Sequence, residues 1–335
     1  GERFVPPTAD DADRAFEKAT GEPFPVAIED ESGCRRYVGV VIENVSNGES
    51  PWWLRTRLEA LGMRSISLLV DLSNLVMLEQ GQPIHAFDIR DVHGGCIVVR
   101  RAKPGETMNT LDGEKRTFVE DDLLIADGER AVAVAGVMGG ENSEVRDDTT
   151  TLLLEAANFD PVRVRRTAAR LGLRTEASSR FEKGLDPESA MAAARRFTQL
   201  VMELCPGATV TQQVADAYPR PYPPVRIEMP YDLVSRRLGL RISDGEVRAN
   251  LLDLGFQVHE ERDVLQVDVP SWRATKDVEC AEDLVEEAGR IHGYDHVPRT
   301  PPVGRLTPTL PPPRRRLERR LGDVLSLDLG YAETK

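Results

Sequence analysis

Between Tyr218 and Val225 the chain reads YPRPYPPV, four prolines in eight residues. Each proline locks its own φ, removes a backbone donor and pushes the residue before it out of the helical region. Neither a helix nor an inner strand can run through such a stretch, so the chain must fold as at least two bodies, one on either side. Its 335 residues agree with this, because a single domain commonly takes roughly 100 to 200. A second proline-rich run, TPPVGRLTPTLPPP at 300–313, marks another break. We therefore expect a first domain over 33–212, a linker over 213–224 and a smaller module over 225–300. The stretch 1–32 reads as a remnant of a preceding domain, and 301–335 as a linker with the first helix of an incomplete one.

Local signals predict how each body is built. Ser50 and Pro51 open PWWLRTRLEALG, with Ser as N-cap, Pro at the first helical position and Gly62 as the stop. Asp160 and Pro161 open a second helix that Gly172 ends, and Asp186 with Pro187 opens a third that ends at Pro206 and Gly207. The runs ISLLVDLSNLVML, CIVVRRA, LLIADGERAVAVAG and TLLLEAA are short, apolar and punctuated by turn residues, and read as strands. Strands gathered first and helices afterwards predict an α+β fold rather than a repeating βαβ one. Past the linker, RIEMP, two helices with a capping box between Ser243 and Glu246, the hairpin FQVHEERDVLQVDVP and a last helix suggest a winged-helix-like module.

Charge and composition exclude several classes. No apolar run approaches the roughly 18 to 20 residues that cross a bilayer, and the acidic start does not resemble a signal peptide, so the expectation is a cytoplasmic protein that meets no membrane. Cys34, Cys96, Cys205 and Cys280 show no paired spacing and read as plain buried thiols. A net charge of −13 argues against a nonspecific coat for nucleic acid. One basic island runs against that trend: Arg163, Arg165, Arg166, Arg170, Arg174, Arg180, Lys183, Arg195 and Arg196 lie between Asp160 and Leu200 among five acids. It reads either as a solvated helix face or as a place for phosphates.

Four segments occur here in order: LVDLSNLVMLEQGQPIHAFD, AVAGVMGGENSEV, TLLLEAANFDPVRVRRTAARLGLRTEASSRFEKGLDP and PSWRATKDVECAEDLVEEAGRIHGYDHVP. They resemble the editing module and the following winged-helix-like module of bacterial phenylalanyl-tRNA synthetase β subunits, over about residues 34–300. The resemblance implies part of an ATP-dependent phenylalanine–tRNA ligase, an α2β2 assembly whose synthetic site, with its ATP, lies on the α subunit. This chain would then carry the site that hydrolyses tyrosine wrongly attached to tRNA-Phe. The physical need is plain, since a pocket shaped for phenylalanine cannot strongly exclude a ring bearing one extra hydroxyl, whereas a second pocket that hydrogen-bonds the phenol can reject phenylalanine.

On that resemblance Glu155 reads the phenol, and His85 holds the ester or adenosine end or orients the attacking water. Without it, Glu155 would be a strand-end carboxylate and His85 a core or loop histidine. Ser73 and Asn74, at the end of an expected strand, offer a hydroxyl and an amide to the substrate amine or ribose. Gly136, Gly139 and Gly140 let backbone approach where any Cβ would fill the ring's space, with Thr175 and the small Ala177 on the opposite wall. No nucleophile–base set assembles from these segments, which favours water as the nucleophile.

In the second module Asp283, Glu286 and Glu287 stand at i, i+3 and i+4, with Asp277 at the helix entrance. Such carboxylates suit Mg²⁺, and the resemblance implies a magnesium site at the α-subunit contact. Helix electrostatics alone explains them as well. The rival to the whole editing reading is a noncatalytic scaffold or tRNA-binding module of the β subunit.

Overall fold

The computed structural model describes residues 9–262, 264–297, 304 and 310–334. Most of the second proline-rich run therefore lies outside the described residues.

The first body is built on a four-stranded antiparallel sheet, in the order Ala215–Ala217, Cys34–Glu43, Thr151–Phe159, Ile84–Asp88. Its two central strands are buried along nearly their whole length because both faces are covered. One face, with Val38, Val40, Leu152, Leu154 and Ala156, packs on the helices Leu68–Gln80 and Ser189–Leu204. The other, with Tyr37, Val41, Leu153 and Ala157, packs on a second, five-stranded sheet: Val26–Ile28, Ile97–Arg101, Leu123–Ala126, Ala131–Val134, Met138–Gly139. Alternation along one strand thus divides its side chains between two cores. The second body carries its own core on the antiparallel sheet Val225–Pro230, Val264–Val269, Gln257–Glu261, backed by the helices Tyr231–Leu238, Asp244–Asp253 and Ala281–His292. The α+β layering is as the element order implied.

The helix after Asp160 matches its sequence signals residue for residue. It runs Pro161–Leu171, Asp160 accepts from the Arg163 amide, and Gly172 closes it at φ +67. Several other expectations need correction. The run ISLLVDLSNLVML is not a strand but the core of the helix Leu68–Gln80, closed by Gly81 at φ +76. Its turn is shaped by buried Asp71, which accepts from Ser50 Oγ at 2.6 Å, from the Ile66 amide at 2.8 Å and from Ser65 Oγ. Ser50 is therefore occupied, and Pro51 rather than Ser50 stands at the N-cap of Trp52–Ala60. The third helix begins at Ser189, because Asp186 spends its carboxylate on the Glu188 amide. The expected capping box in the second body is only half present: Ser243 accepts from the Glu246 amide, while the Glu246 carboxylate binds His292 Nδ1 at 2.6 Å. Residues Asp10–Ile28, read as a remnant, belong to the first body, as the helix Asp10–Lys18 packs on Ser189–Leu204 and the strand Val26–Ile28 edges the five-stranded sheet. Of the thiols, Cys34 and Cys205 are buried, but Cys96 is half-buried and Cys280 exposed.

Candidate functional site

Directly opposed residues of an antiparallel pair put their side chains on the same face. Glu155 is opposed by Gly39 on one side and by His85 on the other, and all three face the five-stranded sheet. A cavity of about 240 Å³ lies between the two sheets, with Glu155 and His85 in its wall. Leu111, Ile125, Val137 and Phe181 are among the apolar residues that make up most of the rest of its lining, so the cavity is largely apolar, with Glu155, His85 and Thr175 as its polar side chains. That is the usual make-up of a site for a small, largely apolar ligand.

Glu155 is 6% exposed and has no cation against it. Burial pushes its carboxyl up to about 8, opposed only by the Tyr37 hydroxyl, which donates to Oε2 at 3.2 Å. At neutral pH the group is mostly the uncharged acid. Such an acid both donates and accepts, whereas a carboxylate only accepts. Burial likewise drives the Tyr37 phenol far above its ordinary range, so it stays a donor.

His85 stands edge-on to Phe87, with ring centroids 4.5 Å apart and planes at 75°. Burial lowers its imidazole to about 4, so it is neutral at physiological pH. Its Nε2 is buried and has no hydrogen-bond partner among the described residues, an unmet need that a ligand or water can fill. Gly139 is what admits the ring, since a Cβ there would sit 3.0 Å from His85 Cε1 and 3.2 Å from Nε2. The neighbouring glycine acts differently from expectation. Gly136 lines the cavity at φ +68, but a Cβ there would press on Phe159, Phe181 and Val164 at 3.0 Å, so it relieves the core rather than the ligand space.

Thr175 and Ala177 come to the cavity on the short helix Glu176–Phe181. The Thr175 hydroxyl is already spent, donating to the Val137 carbonyl at 2.8 Å and accepting from the Ser178 amide at 3.0 Å. It ties the helix to the Gly136 turn. Ser73 and Asn74 are not brought to the cavity: they sit within the helix Leu68–Gln80, and Ser73 Oγ returns to the Leu69 carbonyl at 2.9 Å. Sequence reasoning missed Tyr37. The signal was there, a phenol two residues before a glycine at the head of the aliphatic run Val38–Ile42, but its partner Glu155 is 118 positions away.

Asp277, Asp283 and Glu287 of the second body are committed to other partners and do not fit a cation. Asp283 Oδ2 accepts from the Glu279 and Cys280 amides at 2.8 and 2.9 Å, which caps the helix and holds its carboxyl below the usual range. Glu287 points inward onto Arg273 at 2.8 Å and Arg290 at 2.7 Å, and Asp277 also binds Arg273. Glu286 points out to solvent. Among the described residues no three His, Cys, Asp or Glu side chains gather as a metal would require.

Residues 33–206 match the B3/4 domain family and 227–294 the tRNA synthetase B5 domain. A phenylalanine–tRNA ligase β subunit of Geobacter metallireducens is 45% identical over 309 residues, covering 92% of this chain and 38% of that protein. Its counterpart in Anaeromyxobacter dehalogenans is 47% identical over 285 residues, covering 85% and 35%. A solved N-terminal fragment of the Pyrococcus horikoshii β subunit covers 81% of this chain at 15% identity and a TM-score of 0.41. The two family matches define a tandem of a B3/4 domain and a tRNA synthetase B5 domain. The chain belongs to the phenylalanine–tRNA ligase β-subunit family, and it spans 38% of the length of the Geobacter metallireducens relative. Among the described residues no helix is long and apolar enough to cross a membrane.

Proposed function

We propose that the cavity between the two sheets hydrolyses the ester of tyrosine wrongly joined to tRNA-Phe. The observation that carries this reading is Glu155, a buried, uncharged carboxyl with no cation and one internal phenol donor, set in an apolar hole that fits one aromatic side chain. A tyrosine ring entering the hole places a second phenol beside the free carboxyl oxygen. Phenylalanine enters as easily but leaves that carboxyl without its second partner, a penalty of about 1–3 kcal/mol. His85, neutral and with Nε2 unpaired, offers an acceptor to a water or a ribose hydroxyl near the ester. A base held this far below neutral pH orients water better than it deprotonates it, since transfer is most effective with a pKa near the working pH. Water is the nucleophile in this reading.

For the complete protein we propose the ATP-dependent ligase of its relatives' name, with this chain's part acting beside an α subunit in an α2β2 assembly in the cytoplasm, and tRNA-Phe as the shared substrate. Mg²⁺ is assigned no place on this chain's residues, because Asp283 and Glu287 are already committed.

The test is release of tyrosine from tyrosyl-tRNA-Phe, with phenylalanyl-tRNA-Phe as control, in the chain and in the assembled enzyme. Glu155→Ala should slow tyrosine release about 10- to 100-fold and narrow the preference over phenylalanine. Gly139→Trp, which drives a ring into His85, should abolish release. Undiminished release in both variants overturns the assignment, and absence of release from the assembled wild-type enzyme favours the noncatalytic scaffold.

A further inference from the structure

The basic island Arg163–Arg196 is largely consumed by the fold. Arg163 pairs with Asp30, Arg170 with Asp122, Arg180 with Glu176, Arg195 with Asp13 and Arg196 with Glu79. Lys183 makes no ion pair among the described residues, and it lines a cleft of about 360 Å³ where the two bodies meet. Three more cations line that cleft: Arg35 and Arg220 on the side of the first body and the linker, and Lys276 from the second body. Arg220 is paired with Glu31 at 2.6 Å, and the one other carboxylate, Asp160, caps its helix. Arg35 lies over the Tyr222 ring at 3.9 Å and, like Lys276, has no carboxylate partner among the described residues.

Two further features mark the cleft as more than a gap. Lys276 adopts φ +64, a left-handed conformation that costs energy for a side chain of its size and gathers at sites where position matters. The two walls are joined beside it, with Ser271 Oγ donating to Asp186 Oδ2 at 2.7 Å, so residues of both bodies stay face to face. In a chain with a net charge of −13, three cations without carboxylate partners around one cleft call for an anion.

We propose that this cleft binds phosphate, with Lys183, Lys276 and Arg35 as its ligands and the Arg35–Tyr222 stack as a flat wall for an attached base. The phosphate belongs either to the backbone of an RNA strand or to a free nucleotide. The cleft is separate from the Glu155 cavity and shares no lining residue with it.

The experiment compares the chain with the double variant Lys183→Glu/Lys276→Glu and with a control, Arg165→Glu/Arg166→Glu, which makes the same charge change on an exposed helix face. The probes are tRNA, AMP and inorganic phosphate, each measured over a range of salt, with melting curves recorded for every variant. The cleft variant should lose about tenfold or more in affinity and about two units of salt slope, at an unchanged melting temperature, while the control loses far less. Loss confined to tRNA assigns the phosphate to an RNA strand, and loss extending to AMP assigns it to a nucleotide. Equal loss in both variants, no loss in the cleft variant, or no binding of any probe by the wild-type chain overturns the proposal. If the cleft variant melts lower, Lys183→Gln/Lys276→Gly, which removes charge and backbone strain together, must show the same loss. Tyrosine release is a separate readout, so failure of either proposal leaves the other standing.

Discussion

Among the described residues each body holds one buried glutamate, and the two are treated in opposite ways. Glu155 is 6% exposed and Glu287 8%. Glu287 meets two guanidiniums, which hold its carboxyl below the usual range and make it part of a structural ion-pair group with Arg273 at the centre. Glu155 meets only the Tyr37 hydroxyl, and burial pushes it up to about 8. Similar solvent exposure therefore yields a fixed charge in one place and an uncharged, unsaturated acid in the other. Glu155 lies deeper among apolar groups and lacks a cation, and depth and partners together decide which buried carboxyl is available for a ligand.

The comparison breaks most directly at Arg273. Arg273→Ala strands the Glu287 charge next to Arg290 alone and should cost the second body about 3–5 kcal/mol in denaturant melts, with the first body unaffected. A small loss would mean that Glu287 needs no partner and that the contrast with Glu155 is empty.

Next in size is the response to pH, where the two glutamates should differ in sign. The folded Glu155 holds its proton between the unfolded value of 4.5 and about 8, so its stabilising effect is complete at low pH and is lost as pH rises through about 8. Wild-type stability should drop by about 2–3 kcal/mol from this group between roughly pH 6 and 9, and Glu155→Gln should remove that drop. For Glu287, whose folded value is depressed, the stabilisation is present above 4.5 and fades as pH falls below it. Melts of both glutamine variants across this range read the two signs separately.

A smaller effect is expected for Tyr37→Phe. It removes the one side-chain hydrogen bond to Glu155 among the described residues, should cost about 1 kcal/mol and should raise the Glu155 titration further, which carboxyl infrared bands can follow. The smallest belongs to Glu286→Ala, which should shift stability by no more than about 0.5 kcal/mol, because this carboxylate faces solvent. A large effect there would reopen the cation site that the neighbouring acids do not support.

How much of this was legible beforehand depended on the range of the signal. The helix after Asp160 could be read because its cap, proline and closing glycine lie within thirteen residues. Glu155 stood out as a lone acid in an apolar run, and the resemblance brought His85 to the same site. Leu68–Gln80 misled because it is apolar nearly all round: Leu68, Leu69, Leu72, Leu75 and Val76 are buried together with Asp71, and a helix covered on every side shows no 3.6-residue period. The acids of the second module had the right spacing for one helix face, yet Glu286 and Glu287 diverge. What draws Glu287 inward is Arg273, on a separate short helix.

By itself, the sequence determined the α+β class, the helix after Asp160 with both its ends, and which acid and histidine merit suspicion, because these follow from backbone geometry and short-range chemistry. Only the tertiary structure decided that Gly39, Glu155 and His85 form one row, that Tyr37 completes it, and that Lys183, Arg35 and Lys276 share a cleft. Strand register and the meeting of two bodies bring together groups far apart in the chain, and the charge state of a buried group is set by those neighbours.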